Sequence, residues 1–97
     1  MWGVVNVSSS VRVSFISASP NRELPFPVVK LEWREPYGTI ELSPPSFLRS
    51  LERGEFSRDV PPWVVNLITG SEDTAALVEY ANVLDKELEG ILQKRKL

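Results

Sequence analysis

The sequence predicts a single domain of the α+β class, with a sheet first and helices after it. Up to Ser43, apolar and polar residues alternate, which is typical of strands with one buried face. Beyond Ser43, apolar residues recur every three or four positions, which is typical of amphipathic helices. The length of 97 residues is that of one domain. We therefore expect a three- to four-stranded antiparallel sheet in residues 1–43. Residues 44–97 should form two short helices and a long C-terminal amphipathic helix that packs on one sheet face.

The first strands are predicted before residue 20. Residues 11–16 (Val-Arg-Val-Ser-Phe-Ile) alternate between apolar and polar side chains, which indicates a half-buried strand. The apolar residues at 4–7 either extend this strand or pair with it across the serines at 8–10. Prolines between residues 20 and 27 then indicate an irregular connection, because proline cannot donate to a strand ladder.

A β-hairpin is predicted around residues 35–38, where proline and glycine favour a reverse turn. Apolar residues alternate with charged ones from Val29 to Trp33, and Ile40 and Leu42 alternate with polar residues. This alternation places Trp33 on the apolar face of the hairpin, so we expect its side chain in the core.

The turn also predicts a register and a backbone conformation. A connection of two or four residues keeps Trp33 and Ile40 on one face and sets Glu32 opposite Glu41. Because Gly38 closes the connection, it should have a positive φ or closely approach its neighbours.

A short helix is predicted directly after the hairpin. Ser43 can cap it, Pro44 and Pro45 fit its first turn, and Gly54 ends it.

A second short helix is predicted after Pro61 and Pro62, with Asp59 as its cap and Gly70 as its end. The apolar run at residues 63–69 also fits a buried strand, because short β-branched runs are ambiguous. We favour the helix.

The longest helix is predicted to start at Ser71 as its N-cap, with Glu72 and Asp73 in its first turn. Its apolar residues step by four and three, a heptad-like spacing. This seam consists of Leu77, Ala81, Leu84, Leu88 and Ile91.

The second half of this helix is the main candidate for binding. Beyond Asp85 the apolar stripe narrows, and charged residues such as Glu87, Glu89 and Lys94 border it. A narrow seam with charged borders is typical of helices that pair with another helix. An exposed tryptophan beside prolines also indicates protein contact. The candidate interaction residues are therefore Leu84, Leu88, Ile91, Leu92 and Trp63.

The composition excludes several kinds of chemistry. The chain has no cysteine and no histidine, which removes disulfides, thiolate nucleophiles, Cys/His zinc sites and imidazole bases. No calcium-loop spacing is present, and the glycines stand singly rather than in a phosphate-binding loop. Carboxylate pairs such as Glu72/Asp73 and Asp85/Glu89 suit a solvated helix face. We therefore predict no enzymatic activity and no catalytic, cofactor-binding or metal-binding residue.

Charge and composition narrow the class of partner. A net charge of −2 argues against a protein held to nucleic acid mainly through phosphates. Without cysteines there is no disulfide framework that would indicate export, so we expect a cytoplasmic protein with no membrane partner. The scarcity of Cys, His and Met beside eight prolines is typical of thermophile proteins.

Part of the chain resembles known small subunits. The residues concerned are Pro61-Pro62, the apolar run to Thr69, Gly70, Asp73, Ala76-Leu77 and Asn82. They are similar to the strand-to-helix ending of two archaeal proteins, the dimerisation subunit of the KEOPS tRNA-modification complex and the L subunit of RNA polymerase. Both families place a helix after their first strand, where this sequence has prolines. The resemblance, over about a quarter of the chain, implies only a small docking subunit of such a complex and assigns no site residue.

Together these patterns favour a non-enzymatic protein–protein interaction module, either a homo-oligomer or a small subunit of a larger assembly. Its partner, another protein or a second copy, should bind the C-terminal helix. The alternative is a nucleic-acid-associated protein that uses the hairpin residues Lys30, Trp33 and Arg34, with Tyr37 beside them, as a stacking surface.

Overall fold

The computed structural model describes residues 3–18 and 26–96. The predicted irregular connection at Pro20 and Pro25 lies outside these residues. Four strands form one antiparallel sheet in the order β1-β2-β3-β4. Their bounds are Gly3–Asn6, Val11–Ile16, Val28–Trp33 and Gly38–Leu42. Three helices follow: α1 is Pro44–Arg53, α2 is Pro62–Thr69 and α3 is Thr74–Lys96. The predicted α+β class is confirmed.

The β3–β4 register differs from the expected one by two residues. Trp33 lies opposite Gly38, and residues 34–37 form the connection. Lys30 lies opposite Glu41, so the expected Glu32–Glu41 pairing is wrong. Like charges directly opposite each other destabilise a sheet, whereas opposite charges stabilise it. A shift by two residues keeps every side chain on its predicted face, so the apolar pattern alone could not distinguish the two registers.

Gly38 approaches Trp33 closely. A Cβ atom added to Gly38 would overlap Cε2 and Cζ2 of the Trp33 ring. The predicted close approach is therefore confirmed. The prediction of a positive φ at Gly38 is wrong. Among the described residues, positive φ values occur at Glu35 and Gly54, both 70°.

Helix α1 begins and ends as predicted. The Ser46 N–H donates to Ser43 Oγ at 3.3 Å, which caps the first turn. Gly54 adopts the left-handed conformation, and its N–H donates to the Ser50 carbonyl.

The apolar run after Pro61 is helix α2 rather than a strand, and Gly70 follows its last residue as predicted. Asp59 does not cap it: the N-cap position is Pro61, with no side-chain cap hydrogen bond. The Asp59 carboxylate instead accepts a hydrogen bond from the Ser57 hydroxyl, because the two side chains share a local turn.

Helix α3 starts at Thr74, two residues later than Glu72, the first helical position that the predicted Ser71 cap implies. Ser71 organises a turn before the helix, since its Oγ accepts from the Asp73 N–H at 2.9 Å. The Thr74 hydroxyl also donates to the Ser71 carbonyl at 2.7 Å. Glu72 and Asp73 therefore precede the helix, and the Leu77 N–H donates to the Asp73 carbonyl at 3.0 Å.

The core lies between the sheet and the helices. Phe15 of β2 packs edge-on against Phe47 of α1, with ring centroids 5.7 Å apart. The ring centroid of Tyr80 of α3 lies 5.3 Å from that of Phe15. Trp33 is only 5% exposed, which confirms its predicted place in the core. Among the described residues every buried side chain in this layer is apolar.

Candidate docking surface

The helices do not cover the inner face of the sheet evenly. Helix α3 packs against β1 and β2, and α1 packs against α3 and β3. The inward-facing residues of β2 and β3 are buried, whereas Ile40 and Leu42 of β4 are only half-buried. Val5 of β1 is half-buried as well, so both edges of the sheet are incompletely covered. The β4 edge is the one that lies beside the second half of α3.

An apolar cleft opens where this region meets the second half of α3. We name it the α3 cleft. It has a volume of about 400 Å³. Its walls are Leu88 and Leu92 of α3, facing Phe26, Pro27, Val28, Glu41, Leu42 and Ser43 at the start of β3 and the end of β4.

A hydrogen bond fixes the position of α3 beside the sheet. The Ala18 N–H, just after β2, donates to Glu87 Oε1 at 3.2 Å. Glu87 was expected to border a docking seam. In the structure it attaches the second half of α3 to the end of the sheet at which the cleft lies.

The predicted interaction residues occupy three different places. Leu84 is 2% exposed and belongs to the core. Leu88 and Leu92 line the α3 cleft, with Leu88 half-buried and Leu92 45% exposed at its rim. Ile91 is half-buried in the same part of the helix but does not line the cleft.

Trp63 lies away from the cleft. It is 36% exposed on α2, where Leu67 lies one turn later and is also exposed. Helix α2 leads into the N-terminal end of α3, and Leu92 lies 18 residues beyond Thr74. That distance is about 27 Å along the helix axis. Trp63 is not among the residues that line the α3 cleft.

Sequence reasoning missed the wall of the cleft opposite α3. Phe26 and Pro27 precede β3 in the proline-interrupted connection, where no periodic pattern indicates a face. Leu42 was predicted to face inward, but nothing in the sequence indicates that the helices leave it partly uncovered.

Of the hairpin residues in the nucleic-acid alternative, Arg34 and Tyr37 line one concavity, and Lys30 lies apart from them. Trp33 points into the core, and Lys30 lies on the opposite face of the sheet, between Ser14 and Glu41. Arg34 lies in the β3–β4 connection.

The described residues were also compared with the requirements of a membrane-spanning helix and of a metal site. None of the helices there is both long and apolar enough to cross a membrane. Within the same residues, no group of three or more acidic side chains is placed to hold a metal ion.

Comparison with known proteins gives no family to which this geometry can be assigned. The run that resembles a strand in the two archaeal small subunits is helix α2 here, so that resemblance does not extend to the fold. No protein-family model, no curated protein and no solved structure matches the chain.

Proposed function

We propose that the protein is a non-enzymatic interaction module in which two copies associate through the α3 cleft. The observation that carries the proposal is the cleft itself, an apolar concavity with the 45%-exposed Leu92 at its rim. An apolar hollow in water is stabilised when another apolar surface fills it.

The cleft suits a second copy because the exposed Leu92 side chain and the concavity that would receive it lie on the same surface. If Leu92 of each copy entered the cleft of the other, the contact would be isologous, the arrangement of most homodimers. The surrounding charges do not oppose this contact. Glu41 is the one charged residue among those that line the cleft, and it is exposed, so its carboxylate can stay hydrated at the edge of the contact.

The area needed for a stable dimer sets how far the interface must extend. A specific interface buries about 800 Å² on each partner. This is about an eighth of the 6388 Å² surface of the described chain. The cleft must therefore be flanked by further contacts from the second half of α3 and from β4, where Ile40 remains half-exposed.

A non-enzymatic role is supported by the chemistry of the cleft. Its polar groups come from one carboxylate, Glu41, and from Ser43, while the other walls are apolar. The chain has no histidine or cysteine to act as a base or nucleophile beside them.

The proposal is tested by sedimentation velocity over a concentration series from about 1 to 300 µM, the range in which weak homodimers dissociate. The wild type should shift from monomer to dimer, and Leu92→Glu should remain monomeric. Val83→Glu is the matched control: Val83 is 40% exposed on the same helix. It lies nine residues away, about half a helical turn around from Leu92 in angle.

Circular dichroism of both variants checks that the fold is retained. A wild type that stays monomeric throughout the series would contradict self-association. An equal loss of dimer in both variants would contradict the assignment of the interface to the α3 cleft.

A further inference from the structure

A second concave site lies at the other end of the sheet, formed by the β1–β2 and β3–β4 connections and by the strand ends beside them, which include Arg12 and Glu32. We propose that it binds a nucleotide unit, with the phosphate held by Arg12 and Arg34 and the base stacked on Tyr37. The site shares no residue with the α3 cleft, so nucleotide binding can be tested independently of dimer formation. Its volume is about 300 Å³, at the lower end of the range for small-ligand sites.

The two connections are joined to each other. The Arg34 N–H donates to the Ser10 carbonyl at 3.0 Å, and the Ser10 N–H donates to Ser8 Oγ at 3.1 Å. The backbone of the site is therefore held by hydrogen bonds before any ligand arrives, which lowers the entropy cost of binding.

The two guanidinium groups supply the anion-binding chemistry. Arg12 is oriented by its neighbour, because its Nε donates to Asn6 Oδ1 at 3.4 Å. This bond leaves the terminal N–H groups of Arg12 available, since a guanidinium carries five donors. Arg34 is exposed, and its side chain makes no hydrogen bond or ion pair with the described residues. Paired arginines match the geometry of a phosphate group.

Tyr37 supplies the stacking surface. Its side chain is 65% exposed at the end of the β3–β4 connection and lines the site. Bases of nucleotides stack on exposed aromatic rings with little regard to sequence. A phosphate-binding pair beside an exposed ring therefore favours a nucleotide over a simple anion.

Glu32 also lines the site and limits what it can bind. Glu32 lies opposite Arg12 in the β2–β3 register. Two arginines and one glutamate give the site one net positive charge. A bound phosphate would be repelled by Glu32. Removing this charge should strengthen binding, which a purely structural role for the arginines would not predict.

A groove along α1 also contains two arginines, and it serves as the control for the binding experiment. It contains Arg49 and Arg53, two serines, Glu55 and Phe56. Its arginines project from one exposed helix, and Arg53 lies in the last turn, where a cation offsets the helix dipole. Its aromatic residue, Phe56, is half-buried and packs against Phe47, whereas the Tyr37 ring is 65% exposed.

The test is an NMR titration of the full chain with adenosine 5′-monophosphate, and separately with a short 5′-phosphorylated oligothymidylate. Backbone amides of residues 8–12 and 34–38 should shift. Arg12→Gln and Arg34→Gln should each weaken binding roughly tenfold, the factor that corresponds to one charge-assisted hydrogen bond. Glu32→Gln should tighten binding, and Tyr37→Ala should weaken it. The double variant Arg49→Gln/Arg53→Gln should bind as the wild type does.

The two ligands distinguish a free nucleotide from a strand of nucleic acid, and binding of either at these amides supports the site. Absence of shifts with both ligands would overturn it. Equal weakening by the Arg49/Arg53 control would overturn the location. If O-phosphoserine binds as well as the nucleotide and Tyr37→Ala has no effect, the nucleotide class is wrong.

Discussion

Gly38 and Trp33 form the tightest side-chain constraint in the hairpin. The indole occupies the space that any larger residue at position 38 would need. Gly38→Ala should therefore lower the free energy of unfolding by about 1–3 kcal/mol, the usual cost of overpacking. Urea denaturation measures this change.

Gly90→Ala is the matched control for that prediction. Gly90 lies inside α3, and a Cβ atom there would meet nothing within 4 Å. The substitution should raise the free energy of unfolding by about 0.5–1 kcal/mol, because alanine loses less backbone freedom in a helix. If both alanine variants change stability in the same direction, the contact between Gly38 and the indole is wrongly described.

Trp33 is the largest apolar side chain of the sheet core. Trp33→Ala should cost about 3–5 kcal/mol, enough to unfold much of a domain this small. Tyr37→Ala, four residues away and 65% exposed, should change stability by less than about 0.5 kcal/mol. Thermal unfolding followed by circular dichroism compares the two. A folded Trp33→Ala variant of nearly native stability would contradict the core position of the indole.

Among the elements, those with strong local signals were predictable and those decided by tertiary contacts were not. Helix α1 has its serine cap, its prolines and its terminal glycine in the sequence, and both ends match the structure. The start of α3 does not match, because Ser71 serves a turn before the helix as readily as it would serve a cap. The hairpin register was wrong by two residues for a similar reason, since apolar alternation repeats at that interval.

The same distinction applies to the α3 cleft. Leu88 and Leu92, which line the cleft, were predicted from the narrow apolar stripe in the second half of α3. The opposite wall was not, because Phe26 and Pro27 belong to no periodic element and Val28 lies on the polar-facing side of β3. Leu84 was assigned to the interaction surface but is buried, because the sequence does not show where along α3 the sheet ends.

The cap of α1 gives an element-scale prediction. Ser43→Ala should lower the free energy of unfolding by about 1 kcal/mol, because the Ser46 N–H loses its acceptor. Asp59→Ala is the comparison, since Asp59 was expected to cap α2 and does not. Its effect should stay below about 0.5 kcal/mol, as for an ordinary surface change. Urea denaturation of both variants decides whether the two residues differ in this way.

At the scale of the whole molecule, α3 determines the shape. Its 23 residues span about 34 Å, most of the 43 Å long axis of the described chain. The first half of α3 completes the core, and the second half forms the cleft with the start of β3 and the end of β4. A chain of this size buries a modest fraction of its surface, so association through an apolar cleft would add to its stability.

The central claim is that Leu92 of one copy enters the α3 cleft of a second. The most direct measurement is an isotope-filtered NOE experiment on a mixture of ¹³C-labelled and unlabelled protein, which detects only contacts between copies. The expected result is cross-peaks from the Leu92 methyl groups to Phe26 and Leu42. Cross-peaks from Val83 or Trp63 in their place, or none at a concentration where the protein sediments as a dimer, would contradict the claim.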